Sequence, residues 1–291
     1  MIVGENTHCL CEWEELLSRP NFDPNALGDK GKNLLHHALN NFEIDFAKYL
    51  IQDDRVNVNV PDQRGEYPIH FAAFIDKRKI TKLLLKNPKI DPNVLDFHAK
   101  SAVKIAVENL SFKTLKVLVV HENVRIDFSV EELLRLESDL FSIIAKGAAR
   151  LTETDEEGNT ILHRLVPKAN TIMRMQQLLE NDFNLDLQNI KGETALHLAC
   201  KNGIEDGDVS YESLLSELPS IGCNLEKIKL LVKYKASLDI QDHEGRTPLA
   251  RAILCDNMDA AEFLVSQGAN MDIVDMPAHI RAELSQSKLV I

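Results

Sequence analysis

The sequence is poor in aromatic residues and has no excess of positive charge. Aromatic side chains make up 5% of the 291 positions, with a single tryptophan. Lysine and arginine number 33 against 45 aspartate and glutamate residues, a formal net charge of −12 that repels a phosphate backbone. We therefore do not expect nucleic acid as a partner. The remaining composition is that of a soluble, folded protein.

Long apolar runs and paired cysteine motifs are also missing. No stretch of about 18 unbroken apolar residues is present, so we expect no membrane insertion. The opening residues 1–6 lack the basic flank and apolar segment of a secretory signal. The cysteines are scattered without a Cys-x-x-Cys pair, which favours reduced thiols and a cytoplasmic location. They are Cys9, Cys11, Cys200, Cys223 and Cys255.

What the sequence does contain is an internal period of 34 residues. Two series keep this interval over four units, which chance rarely does, and the chain is therefore expected to be a repeat array. One series consists of the apolar pairs Leu16-Leu17, Leu50-Ile51, Leu84-Leu85 and Leu118-Val119. The other consists of Asn25, Asn59, Asn93 and Asp127.

A third recurring element begins eight residues after the asparagines and returns downstream. Its copies are Asn33–Ala38, Tyr67–Ala72, a weak Ser101–Ala106, Thr160–Leu165, Thr194–Ala199 and Thr247–Ala252. All but the weak copy follow a glycine by two positions, namely Gly31, Gly65, Gly158, Gly192 and Gly245. Glycine tolerates the positive φ of a tight turn, and threonine can cap a helix start. Pro68 and Pro248 fit the first helical turn.

This pattern resembles the ankyrin repeat family, whose unit opens with Asp-x-x-Gly-x-Thr-Pro-Leu-His-x-Ala and contains two antiparallel helices. The resemblance covers about six copies over residues 20–275. It implies an all-α solenoid of helix pairs with short β-hairpin-like turns, in which each repeat is stabilised by its neighbours. It also implies structural hydrogen bonds from the histidine of the motif, which is His36, His70, His163 or His197.

Departures from the period divide the chain into five parts. We predict an N-terminal capping helix or half-repeat at 1–24, three repeats at 25–127, a degenerate helix pair at 128–150, three repeats at 151–275, and a C-terminal cap and tail at 276–291. The degenerate pair is expected to bend the solenoid. Its start has the capping-box spacing in Ser129 and Glu132.

Two further segments each have two interpretations. An acidic insertion at 204–223 joins the two helices of one repeat, and it is either a solvated face or a binding loop. Trp13 of the N-terminal cap either packs the terminal helix or anchors a partner.

The histidines and cysteines raise the question of metal binding or catalysis. Equivalent histidines of neighbouring repeats are expected about 8–10 Å apart, too far for one zinc ion with bonds of about 2.0–2.1 Å. Cys200, three residues after His197, is the one conceivable nucleophile with a histidine base. It takes a small, stack-facing position of the motif, where buried thiols are inert. We expect no metal, no cofactor and no enzyme, with a Cys200-dependent enzyme as the alternative.

Stacked repeats form an extended concave surface that suits recognition of another protein. The resemblance implies contacts at hairpin tips and at exposed positions of the first helix of each repeat. The predicted contact residues are Arg64, Phe71, Phe74, Phe97, Lys100, Arg164, Lys191, Lys201, Arg246 and Arg251.

Within this set Phe71 and Phe74 form an aromatic pair ringed by Arg64 and Lys100, which would suit an acidic or amphipathic peptide. Phe71 is either exposed or packed between adjacent repeats, whereas Phe74 is expected to be exposed. The sequence thus predicts a monomeric, non-enzymatic scaffold that binds another protein in its own cell. The alternative is a secreted bacterial effector that binds and modulates a host protein in the host-cell cytosol.

Overall fold

The computed structural model describes residues 15, 17–19, 21–201 and 221–287, and these residues form helices and turns without a strand. The predicted all-α repeat architecture is confirmed. The chain divides into two compact units, Met1–Asp127 and Phe128–Ile291. Trp13 and insertion residues 204–220 lie outside the described residues.

The first unit contains three helix pairs of the same design. They are α1 Leu34–Asn40 with α2 Ile44–Gln52, α3 Pro68–Phe74 with α4 Arg78–Lys86, and α5 Ala102–Glu108 with α6 Phe112–Val120. A short 3-10 turn, Asp29–Gly31, precedes α1. The first helices α1, α3 and α5 pack side by side, and the second helices α2, α4 and α6 do the same.

The repeated apolar pairs form the core between these helix layers. Leu50, Leu84 and Leu118 are fully buried at the same place in three successive second helices. Burying one leucine side chain stabilises the fold by about 1.5–3 kcal/mol, and each of these three is covered in part by the neighbouring repeat. The stack therefore depends on contacts between adjacent repeats.

Tight turns lead into the first helices. Gly65 has φ of +74°, and Ala99, which replaces glycine in the weak third copy, adopts φ of +56° at the same place. Pro68 is the first residue of α3, and Ser101 caps α5 by accepting a hydrogen bond from the backbone N–H of Lys104. The weak copy thus keeps the conformation of the others without their glycine.

Backbone hydrogen bonds join successive turns. The N–H of Gln63 donates to the carbonyl of Lys30 at 3.0 Å, and the N–H of Phe97 donates to the carbonyl of Arg64 at 3.2 Å. Because each bond crosses from one repeat to the next, hydrogen bonds join the successive turns into a ladder. The residues at the hairpin tips belong to this ladder.

The repeated asparagines form a second ladder. Asn25 donates from Nδ2 to the carbonyl of Arg55 at 2.7 Å and accepts from the N–H of Asn57 at 2.6 Å. Asn59 makes the same two bonds to Lys89 and Asp91. Each side chain therefore satisfies one donor and one acceptor of the following repeat.

The second unit begins with the predicted degenerate helix pair and continues with further repeats. Its α-helices are α7 Val130–Arg135, α8 Ser138–Ile144, α9 Ile161–Leu165, α10 Ile172–Leu179, α11 Ala195–Ala199, α12 Ile221–Lys233, α13 Pro248–Leu254, α14 Met258–Ser266 and α15 Ala278–Ser287. A 3-10 helix, Ala145–Arg150, follows α8. Ser129 and Glu132 form the reciprocal capping box expected at the start of α7.

A buried lysine, which sequence reasoning missed, supports this unit from α12. Lys227 is fully buried, and its ammonium donates to the carbonyls of Val166 and Lys168 at 2.6 Å each. These carbonyls follow the C-terminus of α9, where helix backbone oxygens lack intrahelical partners. The hydrogen bonds offset the desolvation of the charge.

Among the described helices, none has both the length and the apolar character needed to cross a bilayer.

Candidate functional site

The repeat histidines, His36, His70, His163 and His197, link each first helix to the next repeat. In His163, Nδ1 accepts from the N–H of Thr160 at 3.2 Å, and Nε2 faces the carbonyl of Glu193 at 2.9 Å. A carbonyl can only accept, so the proton of this ring is on Nε2. The other three make the same Nε2 contact with the carbonyls of Glu66, Val94 and Arg246.

Burial lowers the pKa of each repeat histidine, although the backbone hydrogen bond partly opposes that effect. The rings are therefore neutral at neutral pH, with both nitrogens engaged inside the fold. Among the described residues, no group of three or more histidine, cysteine, aspartate or glutamate side chains is placed to hold a metal ion.

Cys200 follows directly after α11 and is fully buried. Burial, together with the neighbouring Cys255, raises the pKa of the Cys200 thiol. Since the thiolate is the nucleophile, a protonated thiol without access to solvent cannot begin covalent catalysis. This environment argues against the Cys200-dependent enzyme.

A cleft of about 490 Å³ opens on the first-helix side of the first unit. Its walls come from α1, α3, α5 and the turns that precede them. The lining residues are Lys32, Asn40, Phe42, Arg64, Glu66, His70, Phe71, Phe74, Ile75, Asp96, His98, Lys100, Ile105, Glu108 and Asn109. Four predicted contact residues are thus brought together here, namely Arg64, Phe71, Phe74 and Lys100.

The two phenylalanines of α3 have different environments. Phe71 is only 9% exposed, and its ring packs edge-to-face on His36 of the preceding repeat with centroids 5.5 Å apart. Of the two interpretations of Phe71, packing between adjacent repeats is therefore correct. Phe74, one turn later, is 62% exposed. Phe71 forms the floor of the cleft and Phe74 stands at its wall.

The cations of the cleft also differ in their partners. The Lys100 ammonium binds Glu108 at 2.6 Å, and this carboxylate raises the pKa of Lys100. Lys32 places its ammonium 4.8 Å from the ring centroid of Phe71, a cation–π contact. The exposed guanidinium of Arg64 forms no ion pair with any residue that the structure describes.

The cleft also holds anions. Asp96 accepts backbone hydrogen bonds from His98 at 2.8 Å and from Lys100 at 2.9 Å. Burial and the nearby Asp62 raise the pKa of Glu66, although Arg64 and Lys32 partly oppose that effect. The lining thus carries as many carboxylates as cations, and neither Arg64 nor Lys32 forms a salt bridge with the described residues.

In the second unit the predicted cations are paired internally. Arg251 and Lys201 both bind the buried carboxylate of Glu193, and Arg251 also lies 3.6 Å from Asp242. Burial by itself would raise the pKa of Glu193, but Lys201 and Arg251 outweigh it, so the net shift is downward.

Two other predicted cations are also held by carboxylates. Arg164 binds Asp155 at 2.5 Å and Glu157 at 3.2 Å. Arg246 binds Asp242 at 2.9 Å and also Glu244. These side chains fasten the turns to the first helices and are less available than sequence reasoning expected.

The remaining two predicted residues lie at hairpin tips. Lys191 is exposed and forms no ion pair with the described residues. Phe97 is exposed and lies against Gly65, where a Cβ would come within 2.5 Å of its ring. Phe97 is absent from the lining of the cleft, and its backbone N–H forms the ladder bond to the carbonyl of Arg64.

Sequence reasoning missed Lys32 and Phe42 as lining residues. Phe42 follows α1, is 62% exposed and has φ of +60°. Asp76, in the same position of the next repeat, has φ of +50°. An aspartate or asparagine is the usual non-glycine residue in this left-handed conformation. A phenylalanine at this position was therefore the feature of the sequence that could have identified Phe42 as a lining residue.

Comparison with protein-family models decides the identity of this fold. A model of ankyrin repeats matches three copies, over residues 3–96 and 220–275, which together make 150 of the 291 residues. The chain belongs to the ankyrin repeat family. Ankyrin repeats are in general scaffolds for protein–protein interaction and are typically non-enzymatic.

Curated ankyrin proteins show moderate similarity. An ankyrin repeat protein of Rickettsia bellii (strain RML369-C) is 28% identical over 166 residues, covering 55% of this chain and 24% of that protein. Ankyrin repeat protein L371 of Acanthamoeba polyphaga mimivirus is 24% identical over 259 residues, covering 78% of this chain and 33% of that protein. The chain thus spans a third or less of the length of these two relatives.

Among solved structures, the ankyrin repeat domain of Bcl-3, an IkappaB family member, is 19% identical. The alignment covers 81% of this chain and all of that domain, with a TM-score of 0.47.

Proposed function

We propose that this ankyrin protein is a non-enzymatic scaffold that binds a segment of another protein in the cleft of its first unit. The observation that carries the proposal is the exposed Phe74 beside the unpaired Arg64 in a cleft of about 490 Å³. Aromatic residues, phenylalanine among them, and arginine are enriched at protein–protein interfaces.

The second unit supports this choice by contrast. Its first-helix cations are held by the buried carboxylates of Glu193 and Asp242, so a partner would have to break those ion pairs before binding them. In the first unit Arg64 needs no such exchange. Binding at the cleft therefore avoids the free-energy cost of breaking buried ion pairs, which binding to the cations of the second unit would carry.

The test is an affinity measurement with paired variants. A partner is first isolated with the intact chain, and its affinity is then measured by calorimetry against Phe74→Ala and Arg64→Gln. We expect each substitution to weaken binding by about tenfold, since hot-spot truncations commonly cost 1–2 kcal/mol or more.

Val120→Ala is the matched control, because Val120 is 66% exposed on the second helix α6 and does not line the cleft. It should leave the affinity unchanged. If Phe74→Ala also leaves it unchanged while the variant is folded, the cleft is not the binding site.

A secreted bacterial effector is the alternative to a scaffold that binds a partner in its own cell. The secreted bacterial effector rests on composition and repeat irregularity alone, and no contact in the structure favours it over a partner in the same cell. A translocation assay on the chain with residues 284–291 intact would separate the two, and either outcome leaves the cleft proposal unaffected.

A further inference from the structure

We infer that the outer face of the second helices α4 and α6 is a lysine-rich surface that binds the anionic headgroups of a lipid membrane. The inference goes beyond the cleft, which opens on the first-helix side of the same unit. Three observations support it, namely the register of the lysines along the repeats, the absence of carboxylates from α4 and α6, and the use of lysine in place of arginine.

One lysine recurs at the same position of three successive second helices. Lys48, Lys82 and Lys116 are the fifth residues of α2, α4 and α6, and they are 34 residues apart. A second row lies at the second position, where Lys79 and Lys113 are exposed in α4 and α6. Because packed helices lie about 8–10 Å apart, each row places its ammonium groups along one face of the helix layer.

Helices α4 and α6 together carry six cations and no carboxylate, although the chain has a net charge of −12. All six side chains are exposed, and none forms an ion pair with a residue that the structure describes. The opposite side of each helix is buried and consists of apolar and threonine side chains. The six cations, called the basic face, are Arg78, Lys79, Lys82, Lys86, Lys113 and Lys116.

Carboxylates around the basic face do not neutralise it. Asp45 of α2 binds Lys48 at 2.5 Å, and Lys48 and to a lesser degree Lys79 lower the pKa of Asp45. The N–H of Thr114 donates to the carboxylate of Asp76 at 2.9 Å. Helix α2 and the segments next to the three helices hold seven carboxylates and five cations, so the balance with the basic face stays four charges positive. The carboxylates are Glu43, Asp45, Asp53, Asp54, Asp76, Asp91 and Glu122, and the cations are Lys48, Arg55, Lys77, Lys89 and Arg125.

The second unit shows that the repeat itself does not require these lysines. Helix α14 has nine residues, as α4 does, and Asp259 and Glu262 are exposed at its second and fifth positions. Lys79 and Lys82 occupy those positions in α4. Packing between repeats therefore does not account for the lysine rows, since the same exposed positions accept carboxylates.

The residue types favour a lipid surface over a folded protein or a nucleic acid. Five of the six cations are lysine, a flexible point charge, whereas arginine is the usual residue for bidentate recognition of carboxylates and phosphates. Lysine is also depleted at protein–protein interfaces. Within α4 and α6, which are described in full, the one aromatic residue is the half-buried Phe112, so no exposed ring is present for base stacking. Clusters of about four to eight cations on an amphipathic helix are typical of surfaces that bind anionic lipids.

The test is cosedimentation of the intact chain with lipid vesicles. One set of vesicles consists of phosphatidylcholine alone, and the other contains phosphatidylserine as well. The variant Lys82→Gln/Lys116→Gln removes two charges of the basic face. Its matched control is Lys146→Gln/Lys168→Gln, which removes two exposed lysines of the second unit. Thermal unfolding followed by circular dichroism checks that both double variants are folded.

We expect the chain to bind vesicles that contain phosphatidylserine, to ignore those of phosphatidylcholine alone, and to bind more weakly as salt is added. Because each lysine near an anionic bilayer adds to the binding free energy, Lys82→Gln/Lys116→Gln should weaken binding by about thirtyfold. The control variant should bind within about twofold of the intact chain, since its lysines lie outside the basic face. Affinity for a partner held in the cleft should be the same in both variants.

Three results would overturn the inference. The first is a failure of the intact chain to bind phosphatidylserine vesicles at low salt. The second is an equal loss in the two double variants, which would assign binding to the total charge of the chain. The third is tighter binding of a single-stranded oligonucleotide or of polyglutamate that depends on Lys82 and Lys116, which would assign the basic face to nucleic acid or to an acidic protein. None of these results bears on the cleft, whose own test is affinity for a protein partner.

Discussion

Replacement of Gly192 by alanine tests whether the turn ladder holds neighbouring repeats together. Gly192 has φ of +74°, and a Cβ at this position would lie 2.7 Å from the backbone nitrogen of His243 in the next repeat. Gly245 has φ of +75°, but a Cβ there would meet nothing within 4 Å. The two glycines lie in the same unit and share a conformation, so they differ only in the space around them.

The expected losses in the free energy of unfolding come from two contributions, the left-handed backbone conformation and the contact with His243. Forcing an alanine into the left-handed region costs about 1–2 kcal/mol, which is the whole effect at Gly245. At Gly192 the contact with His243 adds an overpacking cost of about 1–3 kcal/mol, since a backbone nitrogen cannot rotate away. Gly245→Ala should therefore lower the free energy of unfolding by about 1–2 kcal/mol and Gly192→Ala by about 2–5 kcal/mol.

Urea unfolding followed by circular dichroism measures both values on the whole chain. Asparagine variants at the same positions separate the two terms, because asparagine tolerates positive φ but still carries a Cβ. Gly245→Asn should be nearly neutral, while Gly192→Asn should remain destabilised. Equal losses for Gly192→Ala and Gly245→Ala, within about 0.5 kcal/mol, would refute the proposed role of the turn-to-turn contact.

Three further predictions concern buried polar groups. The repeat histidines have pKa values below the ordinary 6.5 in the folded chain, so the unfolded chain binds more protons below that pH. Their contribution to the free energy of unfolding is present above pH 6.5 and is lost as the pH falls through their folded values; urea titrations that stay flat from pH 7 to 5 would contradict this. Glu193→Gln removes the buried carboxylate that Lys201 and Arg251 share, and it should cost about 3 kcal/mol in urea unfolding although Asp242 stays 3.6 Å from Arg251. Glu157→Gln, at an exposed pair, should change stability by less than about 1 kcal/mol. Finally, in a variant with serine at the other four cysteines, Cys200 should react with a thiol reagent only as fast as the chain opens, and rapid modification of the folded chain would show that it is accessible.

Local sequence patterns were sufficient to predict the helix starts of this fold. The capping box of Ser129 and Glu132 lies within one helical turn, and Pro68 fits the first position of α3. Such features depend on residues a few positions apart, so spacing alone identifies them. The weak third copy was also placed correctly, although its Ala99 adopts a conformation that its sequence does not favour.

The candidate site was less predictable because its contacts are distant in sequence. Arg251 is paired with Glu193, a partner 58 residues earlier and on the other side of the acidic insertion. Lys227 reaches the carbonyl of Val166 across 61 residues. Neither separation is a multiple of the repeat length, so the period gives no indication of these pairs. Phe71 could not be assigned for a similar reason, since its burial depends on a ring in the preceding repeat.

The asparagine ladder has a consequence for how such a chain can change its length. Asn25, Asn59 and Asn93 each bond to backbone groups 30 and 32 residues ahead. Each of these three asparagines therefore joins its repeat to the next one through the same pair of hydrogen bonds. Excision of residues 59–92, one period of 34 residues, would leave Asn25 with its partners Arg55 and Asn57 and would place Asn93 directly after residue 58, where Asn59 stood. Gene segments of one or more whole periods can therefore be gained or lost by recombination without a change of register, whereas an excision that is not a whole number of periods would break the asparagine ladder at the junction.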